Sequence, residues 1–202
     1  MGQISSIEQL LDIYPKPNDK AKNKVLSKLD RHSITMIENC HFCILSSTDV
    51  YGFTDISPKG GAPGFVKVLD QSTILIPDSS GNNRIDSLKN IVSNPKVGMM
   101  FMVKGIDEVV RLKGHATIHT EPELFALCPD GNKQPKVVVK VVVESAYFHC
   151  AKAIMRGKLW SNDFQVDRSI LPSLAEIIKE QQKLGGDYVS QAQMLAYYES
   201  SL

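Results

Sequence analysis

The feature that most limits what this chain can become is a series of seven short β-rich runs within residues 41–144, separated by turn residues. They are His41 to Ser46, Tyr51 to Ser57, Phe65 to Leu69, Thr73 to Ile76, Val97 to Val103, Val109 to Ile118 and Lys136 to Val143. Strands so closely spaced pair mostly with their neighbours, which leads to a barrel or a sandwich. Asp49, Asp70-Gln71-Ser72 and Gly105-Ile106-Asp107 fall between successive runs, where hairpins need turn residues. Neighbouring strands are therefore expected to run antiparallel.

Helical punctuation brackets this core. Ser5 with Glu8 reads as a capping box for a short helix over Ile7, Leu10 and Leu11 that ends at Pro15. A second helix is expected from Asn18 or Asp19, with Ala21, Val25 and Leu29 at four-residue spacing and its lysines on a solvated face. Inside the core, Ile85 to Val92 reads as an amphipathic helix, and Thr120 with Glu123 opens another. Beyond the last strand, helix is expected through Ala146 to Met155, then over Leu174 to Leu184 and Gln191 to Tyr198, with Ser190 and Gln193 capping the last. The expected fold class is mainly β with helical flanks. A single domain is expected over 1–202, with a helical flank at 1–40, a barrel core at 41–144 and a second helical flank at 145–202.

Composition narrows the function classes. The 202 residues carry 23 basic and 22 acidic side chains, a net charge of +1, with no long single-sign run, which disfavours a dedicated nucleic-acid binder. The longest apolar runs fall far short of a membrane-crossing helix. The first residues lack the basic start and apolar block of a secretory signal, so a cytoplasmic, reducing setting with free thiols is the expectation. Gly2 with Ser6 satisfies a short N-terminal acylation pattern, and Ser200-Ser201-Leu202 is an imperfect match to a peroxisomal address.

Several chemical constellations can be weighed on spacing. Cys40 and Cys43 form a C-x-x-C, but it opens a strand and no second ligand pair accompanies it, so buried small hydrophobes are the favoured reading over zinc or redox chemistry. His115 and His119 lie about 13 Å apart if extended, too far to share one ion, and no metal site is expected. Hydrolase and nucleotide triphosphatase motifs are missing. What remains is a polar set: Asp55 to Gly60 ends one strand, Pro77-Asp78 ends another, and Gly81-Asn82-Asn83-Arg84 leads into the Ile85 helix. A loop of backbone N–H groups, an arginine fork and a helix N-terminus suits a phosphate; equally, Asn83 caps the helix and Arg84 is a surface residue.

These motifs, in this order, resemble the FMN-binding split barrel of the pyridoxamine 5'-phosphate oxidase family, particularly its oxidase-related members. The matching segments are Asp55 to Gly60, Pro63 to Val66, Ile76 to Leu88, Asn94 to Gly98 and Arg111 to Gly114, with Phe148 to Ala153 and Leu159-Trp160 typical of the same subgroup. The resemblance covers about three quarters of the chain. It implies an FMN-binding split β-barrel and a flavoprotein, expected to be an FMN-dependent oxidoreductase acting on a small molecule. A non-catalytic flavin- or haem-binding, stress-related module is the alternative.

By the same resemblance Asn83 and Arg84 match the family's phosphate-gripping element, with Ser87 in the helix that follows and Lys59 as a nearby basic group. Ser57 and Asp78 occupy strand ends that line the flavin in relatives, Arg111 lies on the strand beside the ring, and Lys152, Lys158 and Trp160 are candidates for the flavin or substrate edge. His149 is expected to be a satisfied core histidine. A homodimer with the flavin between subunits is also implied. The R-x-H element that holds the substrate phosphate in a true pyridoxamine phosphate oxidase is replaced by Arg156-Gly157-Lys158, so the resemblance does not extend to that activity.

Overall fold

The computed structural model describes residues 2–79, 81–129 and 134–201. Met1, Ser80 and Leu202, which enter the motifs above, lie outside the described residues. The strands are β1 (Phe42–Thr48), β2 (Thr54–Gly60), β3 (Lys67–Asp70), β4 (Thr73–Asp78), β5 (Lys96–Met102), β6 (Val109–His119) and β7 (Val137–His149). They form one seven-stranded antiparallel sheet in the order β2-β1-β5-β6-β7-β4-β3. The alternation read from the sequence sets which face is inside: along β1, Cys43, Leu45 and Ser47 are buried, while Ile44 and Ser46 turn the other way. Leu45, Val66, Ile74, Phe101 and Val141 are fully buried together as the core. The architecture is a split β-barrel, mainly β with helical flanks.

The helices are α1 (Ile7–Ile13), α2 (Asp19–Asn23), α3 (Arg31–Glu38), α4 (Asp86–Ser93), α5 (Pro122–Leu127), α6 (Lys152–Gly157), α7 (Leu174–Gln182) and α8 (Gln191–Ser201). Contacts divide the chain into two compact units, Met1–Met155 and Arg156–Leu202. In the first, α3 buries Met36 and Ile37 against the core, and α5 covers a smaller cluster of Leu75, Cys128 and Val138. In the second, Ser173 caps α7 and donates its hydroxyl to the Val189 carbonyl, while Arg168 bonds the carbonyls of Leu171 and Pro172 and the side chain of Gln191.

Several expectations are corrected. The second helix stops at Asn23, because Leu26 exchanges two backbone hydrogen bonds with Ala146 of β7 and Leu29 is drawn into the core. The helix expected from Ala146 to Met155 begins only at Lys152, since Ala146 to His149 continue the ladder against Val109 to Leu112. Helix α3 was not anticipated by the spacing. The first cap is Ser6, with Gln9 reaching back to Ser5, one residue later than the expected box. Pro122 opens α5 without a side-chain cap.

Candidate functional site

Strands β2 and β3–β4 lie at opposite ends of the sheet order, so the barrel has a seam between them. On β2, Asp55, Ser57 and Lys59 lie opposite the buried Ser47, Leu45 and Cys43 of β1, and are themselves half-buried; Ile56 and Pro58 between them are exposed. On the other side, β4 ends in Pro77-Asp78. The Lys59 ammonium and the Asp78 carboxylate form an ion pair across the seam, each side chain 19% exposed. That shielding gives the pair more weight than a surface contact.

Beside this pair opens a cavity of about 760 Å³ lined by Asp55, Ser57, Lys59, Asp78, Asn83, Arg84 and Ser87, among others. Its rim is the loop before α4. Asn83 and Ile85 both adopt the left-handed backbone region, φ 59° and 50°. For a β-branched residue such as Ile85 that conformation is costly and persists only where the surroundings impose it. Its consequence is that Ile85 stands at the N-cap and supplies no side-chain cap to α4. Isoleucine has no side-chain acceptor, so the first N–H groups of the helix have no side-chain cap. Asn83 instead accepts from Lys136 at 3.4 Å, and Asn82 accepts from the Arg84 backbone at 3.1 Å.

The charged groups here are mutually engaged. Arg84 donates to Asp86 at 2.8 Å, and the Lys89 ammonium stands 3.9 Å from the same carboxylate. Asn90, on the buried face of α4, donates to Ser47 at 3.1 Å and to the Asp55 carboxylate, tying the helix to β1 and β2. Asn90 and Lys136 were not singled out from the sequence, and Asp55 entered only as the start of the polar strand end. Asn90 left one signal only, a polar residue adjoining the apolar stripe of an amphipathic helix.

The structure thus gathers Ser57, Lys59, Asp78, Asn83, Arg84 and Ser87 around one cavity. Arg111 is not among them. It pairs with Met100, which pairs with Ile44, so all three point away from the core face used by Leu45, Met99 and Leu112. Arg111 opens instead on a second cavity of about 460 Å³ on the outer face of the sheet. His149 is partly exposed and lines that second cavity rather than the core. Lys152 is exposed at the start of α6. Lys158 and Trp160 belong to the second unit, where Lys158 stacks over the Phe164 ring at 4.6 Å. Cys40 and Cys43 are buried, and burial pushes the Cys43 thiol up to about 12, so both sit as small hydrophobes with Cys43 a neutral thiol at neutral pH.

The profile described as pyridoxamine 5'-phosphate oxidase matches residues 29–150. No curated protein sequence matches the chain. Among solved structures, a variant of HupZ from Group A Streptococcus is similar at 20% identity and TM-score 0.50, over 59% of this chain and 98% of that one. A Clostridium acetobutylicum protein related to general stress protein 26 is 12% identical over 58% of this chain and 85% of that one, TM-score 0.44. An FMN-binding protein from Syntrophomonas wolfei is 14% identical over 60% of this chain and 88% of that one, TM-score 0.45. With more than half of its length matched by that profile and the split barrel in place, the chain belongs to the pyridoxamine 5'-phosphate oxidase family.

Proposed function

We propose that the seam cavity holds the phosphate end of FMN and that the protein is an FMN-dependent oxidoreductase acting on a small molecule, as a homodimer. The observation that carries this reading is the strained Asn83–Ile85 loop: it leaves the α4 N-terminus uncapped beside Arg84 and Lys59, inside a cavity of about 760 Å³. Backbone N–H groups, a helix dipole and an arginine fork suit a phosphate monoester. Membership of a flavin-using family supports the same ligand. Ser57 and Ser87 supply hydroxyls to the cavity wall, and Lys59 becomes a phosphate donor when it exchanges Asp78 for the ligand. Bound flavin supplies the hydride or electron chemistry, and this chain's residues bind and orient it. Arg111 faces the opposite side of the sheet, so in this homodimer any contact it makes with the flavin is with the one held by the partner subunit.

A second reading, a flavin carrier without turnover, draws support from the prior pairing of Lys59, Asp78, Arg84 and Asp86 with one another, which leaves none of them as a free acid or base. Purification with analysis of the released chromophore tests both. FMN is expected, and Arg84→Ala is expected to weaken its retention roughly tenfold to a hundredfold. A colourless protein that takes up no added FMN overturns both readings. Reduction of the bound flavin by NADH or NADPH, followed by reoxidation with turnover, separates enzyme from carrier.

A further inference from the structure

The helix whose first turn rims the seam cavity is held to the barrel in two different ways. Ile91 is buried in the core cluster, and Leu88 packs against that cluster. Burial of this kind is non-directional, so it keeps α4 on the barrel without fixing how far the helix slides along its own axis. Asn90, between those two, is 7% exposed, and its amide donates to the Ser47 hydroxyl of β1 at 3.1 Å and to the Asp55 carboxylate of β2. Hydrogen bonds depend on distance and angle, so a pair from one amide to two strands selects one axial position and one rotation of the helix.

A buried amide beside an apolar stripe is costly unless it is paired. Stability alone does not account for it, since apolar groups of like shape in place of hydrogen-bonded partners hold a helix about as firmly. What the amide adds is direction. Asn90 lies four residues, about 6 Å along the axis, from Asp86, where α4 begins without a side-chain cap. The same amide engages Asp55, which lines the seam cavity, and so keeps one negative charge at a fixed place beside an anion site. Asn90 is not among the residues that line the cavity, so it acts through the helix it holds.

We propose that Asn90 is a positioning residue for the phosphate grip, an inference that rests on the reading of the seam cavity as the FMN phosphate site. By setting the register of α4 against β1 and β2, it places the uncapped N–H groups of the first turn, with Arg84 beside them, where they meet the phosphate. A grip of this sort tolerates little looseness in its supports.

FMN and riboflavin differ only in the phosphate, which makes their ratio the readout. Both are titrated by flavin fluorescence into the full-length protein washed free of flavin, and urea unfolding reports whether each variant is folded. Parent protein that binds the two equally overturns the phosphate reading of the cavity, and the role of Asn90 falls with it. Where the parent prefers FMN, Asn90→Ala is expected to raise the FMN Kd about tenfold and the riboflavin Kd by no more than about threefold. Ser47→Ala removes one acceptor and leaves the amide in place; it is expected to reduce the preference for FMN by about threefold, and it decides the matter if Asn90→Ala does not fold. Ile91→Val loosens the apolar contact of the same helix, and is expected to lower the urea midpoint while leaving the preference within about twofold of the parent. An undiminished preference for FMN in folded Asn90→Ala, or in Ser47→Ala where the first variant does not fold, overturns the proposal. So does a loss of preference in Ile91→Val equal to that in Asn90→Ala, because any loosening of α4 would then suffice.

Discussion

At the scale of single residues, the contact that most shapes the seam is the Lys59–Asp78 pair. It joins the two ends of the sheet and at the same time withholds a cation from any anion in the cavity. Asp78→Asn therefore acts in two directions. The barrel is expected to lose roughly 1–3 kcal/mol, because an incompletely exposed ammonium is left without its partner. FMN is expected to bind several-fold more tightly while riboflavin, which has no phosphate, stays within about twofold; flavin fluorescence titration of both ligands checks this. The cysteines make a plainer case. Burial raises Cys40, Cys43 and Cys128, the second up to about 12, so maleimide is expected to modify native protein at Cys150 and to reach the other three only after unfolding.

At the scale of elements, β6 and β7 are the longest strands, and their register shifts between Lys113 and Gly114. Lys113 lies opposite Ser145 and Gly114 opposite Val143, so Glu144 is the extra residue of a bulge. A Cβ at Gly114 would come within 2.3 Å of the Val142 carbonyl oxygen, which is backbone and cannot move aside cheaply. Gly114→Ala is expected to cost roughly 1–3 kcal/mol in urea unfolding. The α3 cap brings a pH dependence. Burial raises the Asp30 carboxyl, but hydrogen bonds from the Ser33 hydroxyl and backbone outweigh it, and the net shift is downward. A carboxylate lowered on folding contributes stability above its unfolded value and loses it as pH falls through the folded one. Asp30→Ala is thus expected to cost about 1 kcal/mol at neutral pH, and the gap between variant and parent should close under acid below the ordinary aspartate range.

Elements also reveal where sequence reading reached its limit. The seven strands were legible from alternation and turn residues, because side-chain period alone decides them. Residues 24–29 and 146–149 were misread as helix: their apolar spacing suits a helix, yet their N–H and C=O groups are claimed by distant partners, Leu26 with Ala146 and Phe148 with Val110. Long-range pairing of this kind leaves no mark in a local window.

At the scale of the whole molecule, the site exists only because the sheet fails to close. Residues of β2, β4 and the loop before α4 meet across the seam, and a ligand there joins the two ends of the sheet. Ligand binding and stability are then linked: FMN at about one hundred times its Kd is expected to add about 2.7 kcal/mol, read as a rise in Tm that Arg84→Ala diminishes. A flavoprotein of this family is further expected to sediment as a dimer, and analytical ultracentrifugation of the FMN-loaded protein decides that point. Periodicity and turn chemistry were enough to read an antiparallel barrel or sandwich, and the ordered motifs from Asp55 to Gly114 carried the resemblance to a split barrel with a phosphate grip expected at Asn83 and Arg84, because those features are local to the chain. Only the tertiary structure decided that Lys59 meets Asp78, that Ile85 is forced left-handed so that α4 goes uncapped, and that Arg111 faces a different cavity. Which face a strand residue presents, and what stands opposite it, is settled by register across the sheet.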